Sequence, residues 1–166
     1  MKSFKKIFRV ISGTIVLLLF GNIIYFYTTK VNILNILKNS KYTFSIYQEK
    51  TVAGRGTTLA NYEYSVNQIL YRESIALGSF SNSNPSVGES YFVVYNSKNP
   101  KESICFLNLK VPDSLRYLSG KSLDKIPIES YQKSVNSFFL ESLHGSLVKY
   151  FPPYYSEKEI NNLINK

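Results

Sequence analysis

The stretch 60-ANYEYSVNQILYRESIAL-77 decides how the body of this 166-residue chain is read. Its residues alternate in character with a period of two, the spacing of side chains along one face of a strand. Folding it about a two-residue turn at Asn67-Gln68 sets Val66 opposite Ile69, Tyr64 opposite Tyr71 and Glu63 opposite Arg72. Apolar and aromatic residues then meet on one face, and opposite charges meet on the other. Cross-strand pairs of this kind contribute roughly 0.2–1 kcal/mol each and fix the register. Asn67 tolerates a positive φ, while Gln68 stands where Gly is preferred. The stretch is a β-hairpin.

Strand signals continue on both sides of it. Upstream, "KYTFSIYQEKTV" (41–52) sets Tyr42, Phe44 and Ile46 against Thr43, Ser45 and Tyr47, which predicts a strand. "GRG" (54–56) lacks the Lys-Ser/Thr and the helix of a phosphate-cradling loop, so it reads as a strand connection. Downstream, the polar loop "GSFSNSNPSVGE" (78–89) leads into "SYFVVYN" (90–96), apolar on both faces as in a covered sheet. "SKNPK" (97–101) is expected to be the turn, with Pro100 fixing φ and pushing Asn99 towards an extended conformation. "ESICFLNL" (102–109) returns as the partner strand.

These residues resemble a family of small bacterial membrane-anchored domains of unknown function. In that family a Y-x-Y-x-V-x-G hairpin precedes G-D/E-x-V-x-V-x-Y-x-x-x-N-P-x-x-S. Here Tyr62, Tyr64, Val66, Gly88, Glu89, Val93, Tyr95, Asn99, Pro100 and Ser103 match, and Gln68 departs where Gly is usual. The resemblance spans roughly residues 55–107. It implies a compact all-β module beside a membrane helix, and it brings no catalytic residues.

The N-terminus, "MKSFKKIFRVISGTIVLLLFGNIIYFYTTK", carries no charge between Arg9 and Lys30. About twenty such residues span a bilayer core as a helix, with every backbone polar group satisfied internally. Tyr25, Phe26 and Tyr27 lie at one end, where aromatic rings favour the headgroup boundary. Lys2, Lys5, Lys6 and Arg9 precede the span, so the positive-inside bias predicts a cytoplasmic N-terminus and an extracytoplasmic 42–166. An uncleaved anchor is favoured over a cleaved signal peptide, because bulky residues follow the span where an Ala-x-Ala-like site belongs. "VNILNILKNSK" (31–41) keeps Ile33, Leu34, Ile36 and Leu37 at helical spacing and is expected to extend the helix until Asn39-Ser40.

After an irregular, Pro- and Gly-punctuated segment (110–130), "YQKSVNSFFLESLHGSLVKYF" (131–151) predicts a helix with Gly145 as its weak point. One face carries Tyr131, Val135, Phe138, Phe139, Leu143, Leu147 and Phe151. Val135, Phe138, Phe139 and Leu143 are expected to pack on the sheet. The rival is a membrane-surface helix, flanked by Lys133 and Lys149. Pro152-Pro153 end this helix, and Ser156 with Glu159 forms a capping box for a short last one.

The resulting fold class is α+β. An N-terminal transmembrane helix with its extension (1–41) leads to an antiparallel β domain of about five strands (42–112). A linker and C-terminal helices (113–166) follow and pack on it.

The chemistry-bearing residues are sparse. The formal charge of +9 shrinks to about +4 once the five basic residues flanking the span are set aside from the twenty, leaving fifteen against eleven acids. The remaining charges are scattered without a recognition motif, so no nucleic-acid partner is expected. One His and one Cys cannot supply a zinc set, and no nucleotide or nucleophile motif is present, so no metal and no cofactor are expected. Cys105 sits in a strand as a small core hydrophobe. His144, one turn after Glu141, is expected to be solvated on the helix surface. Tyr62, Tyr64, Tyr71, Tyr91 and Tyr95 read as core or sheet filler in preference to a ligand-stacking platform. The functional expectation is therefore a non-enzymatic, single-pass interaction module of the bacterial envelope. It would hold the lipid bilayer through residues 10–29 and bind an unidentified membrane or envelope protein. The alternative is a small-ligand-binding or hydrolytic domain whose site is assembled from dispersed Ser, Tyr, Glu and His144.

Overall fold

A computed structural model describes residues 2–80, 84–144, 150 and 152–164 of the chain. The elements follow in the order α1 (Lys2–Lys38), β1 (Ser40–Val52), β2 (Thr58–Val66), β3 (Ile69–Ala76), β4 (Ser90–Asn96), β5 (Asn99–Lys110), α2 (Glu129–His144) and α3 (Glu157–Ile164). The five strands form one antiparallel sheet in the order β3-β2-β1-β4-β5. The fold is α+β, with an N-terminal apolar helix, this sheet and C-terminal helices. Two compact units divide the chain. One comprises Met1–Leu34 with Leu140–Lys166, and the other Asn35–Phe139.

In α1 the segment Thr14–Lys38 is long and apolar enough to cross a membrane. The helix stops where expected. Asn39 donates its backbone N–H to the Ile36 carbonyl (3.2 Å), and β1 begins at Ser40.

Within the second unit the β2–β3 hairpin has the register read from the sequence. Val66 faces Ile69, Tyr64 faces Tyr71 and Glu63 faces Arg72. Asn67 and Gln68 both adopt positive φ, 51° and 66°. That pair of left-handed residues is a type I′ turn, whose twist matches that of the flanking strands. "GRG" forms one 3₁₀ turn, Gly54–Gly56, closed by Ala53 N–H to the Thr57 carbonyl at 2.8 Å.

One strand expectation needs correction. The β4–β5 turn is not centred on Pro100: Asn96 pairs with Asn99, so Ser97-Lys98 make the turn and Pro100 lies inside β5. Proline is tolerated there because β5 is an edge strand, with no neighbour awaiting its missing N–H. The expected strand β1 is buried on both faces over its first half. Tyr42 to Ser45 are all buried, Tyr47 is buried and Ile46 is exposed. Central position explains it, since β1 is covered on both sides of the sheet. Beyond the end of β2 its free edge is taken by Leu123, which exchanges two backbone hydrogen bonds with Tyr42 (2.9 and 2.8 Å).

The sheet curls into a half-barrel, and its two faces bury different residues. Register places Thr43, Ser45 and Tyr47 of β1 with Tyr62 and Tyr64 of β2 and with Val93 of β4 on the inner face. On the outer face Phe44 meets Phe92 edge-on, with ring centroids 5.0 Å apart. The first part of α2 lies on that face: Tyr131 meets Phe92 at 5.8 Å and Phe138 meets Phe106 at 5.2 Å. Val135 and Phe139 are fully buried. A buried side chain of that size stabilises by roughly 1.5–3 kcal/mol, so this helix face closes the core. Leu143 is also buried, but it falls in the first unit. Gly145, Leu147, Lys149 and Phe151, which the sequence assigns to the same helix, lie outside the described residues. The expected capping box is present: Ser156 N–H donates to Glu159 Oε2 (2.7 Å) and Glu159 N–H to Ser156 Oγ (3.3 Å).

Candidate functional site

Four of the five tyrosines singled out in the sequence, Tyr62, Tyr64, Tyr71 and Tyr95, come together on the inner face as a ladder. Tyr62 stacks on Tyr64 (6.0 Å between centroids, 24°), and Tyr64 on Tyr71 across the strand pair (5.5 Å, 20°). Tyr95 approaches Tyr64 from β4 at 6.3 Å. Such stacking requires same-face neighbours at strand spacing, which the Tyr-x-Tyr pattern supplies. Tyr62, Tyr64, Tyr91 and Tyr95 are nonetheless buried, so the ladder is core and offers no open platform.

Three of its hydroxyls are tied off inside the curl. Tyr62 shares a hydrogen bond with Ser103 Oγ at 3.0 Å, Tyr95 with Ser122 Oγ at 2.7 Å, and Tyr64 donates to the Pro100 carbonyl. Burial pushes the Tyr62 and Tyr64 phenols well above the usual tyrosine range, because a phenolate there has lost its water. Cys105 has no exposed surface, and its Sγ lies 3.3 Å from Ser45 Oγ. Desolvation raises its thiol to about 12. A reactive cysteine needs the opposite environment, so Cys105 is packing material.

His144 is not on the surface as its sequence position implied. It is half-buried, and its Nε2 is enclosed with no hydrogen-bond partner among the described residues. Each helical residue turns by about 100°, which puts His144 beside the buried Leu143 at the border of the apolar stripe.

A polar groove of about 430 Å³ opens instead over β1, β2 and β3 on the outer face, lined in part by Gln48, Glu49, Asn61, Glu63, Arg72 and Ser74. Two features of the backbone make it. Register aligns Asn61 with Ser74 and Glu63 with Arg72 in cross-strand pairs. A bulge in β1 between Tyr47 and Glu49 then adds Gln48 as an extra residue, bending the strand away from the flat. The side chains hold one another. Arg72 Nε lies 2.5 Å from Glu63 Oε1, and Gln48 Nε2 donates to the other Glu63 oxygen at 3.2 Å. Ser74 donates to Asn61 Oδ1 at 2.6 Å, and Asn61 Nδ2 reaches Glu49 (3.4 Å) and Thr51 (3.2 Å). Glu73, at the rim, titrates higher than an ordinary carboxylate because it is partly desolvated, an effect Lys101 opposes.

What this arrangement can do chemically follows from its partners. The Ser74 hydroxyl is donated to an amide oxygen, which takes no proton, so it is not set up as a nucleophile. Glu63 is occupied by a guanidinium and an amide. The groove presents fixed donors and acceptors for recognition. Sequence reasoning found the Glu63–Arg72 pair but not the groove. The polar run Asn61, Glu63, Arg72, Ser74 on alternate positions was its signal, whereas the bulge at Gln48 left none.

No family model, curated protein or solved structure matches this chain.

Proposed function

We propose that this chain is a single-pass, membrane-tethered interaction module of a bacterial envelope that recognises a protein partner through the groove over β1, β2 and β3. The N-terminus is cytoplasmic in this reading and residues 42–166 are extracytoplasmic, following the charge asymmetry around the span. The observation that carries it is the groove's ordered network: Gln48, Asn61, Glu63, Arg72 and Ser74 are positioned in advance by one another, which lowers the entropic cost of binding. Beside it β3 is an edge strand whose Ile69 and Leu70 are exposed, so an extended segment has both backbone and apolar contacts within reach.

The rival, a ligand-binding or hydrolytic site of dispersed Ser, Tyr, Glu and His144, calls for His144 beside an acid and a hydroxyl. The groove is lined without it.

The test is site-specific photocrosslinking in intact cells. A probe at Ser74 should capture a discrete protein that a probe at Lys133 does not, and Arg72→Glu should abolish the product. Equal capture from both positions would reject the groove as the partner surface. A C-terminal reporter active only in the cytoplasm would reverse the topology.

A further inference from the structure

The compact unit of Met1–Leu34 with Leu140–Lys166 contains a second surface of definite chemistry. In it the Lys30 ammonium lies 5.8 Å from the ring centroid of Tyr154, and Lys30 itself is only 3 % exposed. Tyr25 and Tyr27 stand on α1 within the turn and a half before Lys30, and both rings are exposed. Earlier on the helix Val16, Leu17, Leu18 and Phe20 expose half or more of their surface. Five helical residues rise about 7.5 Å, so Tyr154, beside the Lys30 ammonium, lies near the aromatic end of α1. Tyr154 is 71 % exposed and Tyr150 65 %, and the Tyr154 hydroxyl donates to the Tyr150 carbonyl at 3.2 Å. Rings with one polar tip concentrate where hydrocarbon gives way to headgroups.

We propose that Tyr150 and Tyr154 seat the C-terminal segment in the headgroup layer of the bilayer, held at that depth by Lys30. The occupant of this surface is phospholipid. The tyrosines lie near the aromatic end of α1, whose preceding turns expose their apolar side chains. The proposal rests on α1 spanning the membrane. It gives the chain a second lipid contact, some 120 residues after the first, so that both ends of the body are fixed to one surface.

The chain contains no tryptophan, so Tyr154→Trp, Tyr150→Trp and Tyr25→Trp each create a sole indole in the full chain. Each is reconstituted in phosphatidylcholine–phosphatidylglycerol vesicles carrying lipids brominated either near the glycerol or deep in the acyl chain. The expected result for Tyr154→Trp is blue-shifted emission, quenched at least twofold more by the shallow label than by the deep one, with several-fold protection from acrylamide. Solvent-like emission quenched by neither lipid, alongside a quenched Tyr25→Trp, overturns the proposal and leaves the spanning helix standing. Shielding from acrylamide without lipid quenching means a protein covers Tyr154, and also overturns it. Failure of Tyr25→Trp to be quenched removes the spanning helix and the proposal together. Should Tyr154→Trp disturb the fold, Tyr150→Trp gives the same reading, and its solvent-like emission counts against the proposal equally.

Discussion

The hydroxyl of Tyr64 on β2 donates to the backbone carbonyl of Pro100 on β5, joining two strands that are not neighbours in the sheet. The bond crosses the open side of the curl. With the Tyr62–Ser103 pair beside it, it holds the half-barrel closed around Cys105. Tyr64→Phe keeps the ring stacking but leaves the Pro100 carbonyl without its partner. The expected loss is about 1–3 kcal/mol, or a fall of about 2–10 °C in melting temperature for a chain of this size. An unchanged transition by near-ultraviolet circular dichroism would show that the curl does not depend on it.

Packing of α2 makes a larger claim. Phe139 is 1 % exposed, and Phe139→Ala should cost about 3–5 kcal/mol through the cavity it leaves. Lys133→Ala, which removes only an exposed pair with Glu129 (2.8 Å), should change stability by less than about 0.5 kcal/mol. Chemical denaturation in detergent, without vesicles, checks both. Comparable midpoints for the two variants would return the Phe-rich face to the lipid surface.

The turn at Asn67-Gln68 is a place to gain stability. Gln68 carries a φ of 66°, a region in which a side chain strains the backbone. Gln68→Gly creates the Asn-Gly pair favoured in type I′ turns and should stabilise by about 0.5–1 kcal/mol. A lowered midpoint would mean that the Gln68 side chain contributes contacts that outweigh the strain.

Alkaline pH should unfold the domain in an ordered way. Cys105 has its folded pKa raised from an ordinary 9.0 to about 12, and the Tyr62 and Tyr64 phenols are raised above an ordinary 10.0. In each case the folded chain binds the proton more tightly than the unfolded one. Stability from these groups is complete below pH 9 and declines as the unfolded thiol and phenols ionise above it. The midpoint for urea should fall steadily from pH 9 upwards, and Cys105→Ala should flatten the first part of the decline. The same burial predicts that the native thiol resists aromatic disulfide reagents at pH 8 until denaturant is added. Immediate stoichiometric labelling would place Cys105 outside the core.

The sequence alone determined the elements whose information is local. Period-two alternation with Glu63 facing Arg72 fixed the hairpin register, because a one-residue slip would have turned every tyrosine to the other face. An uncharged run of twenty residues marked the apolar helix, and Ser156-x-x-Glu159 marked the start of the last one. Tertiary structure decided what depended on neighbours distant in the chain. Pro100 joined a strand because β5 took the sheet edge, and both faces of β1 were buried because it took the centre. The tyrosine ladder became core when the curl brought β5 against β2, and the groove opened where a bulge at Gln48 met the polar face of β2 and β3. Local pattern specifies which way each side chain points. What it then meets is set by strand order and curvature, which arise from the summed packing of many weak contacts and are written in no single stretch.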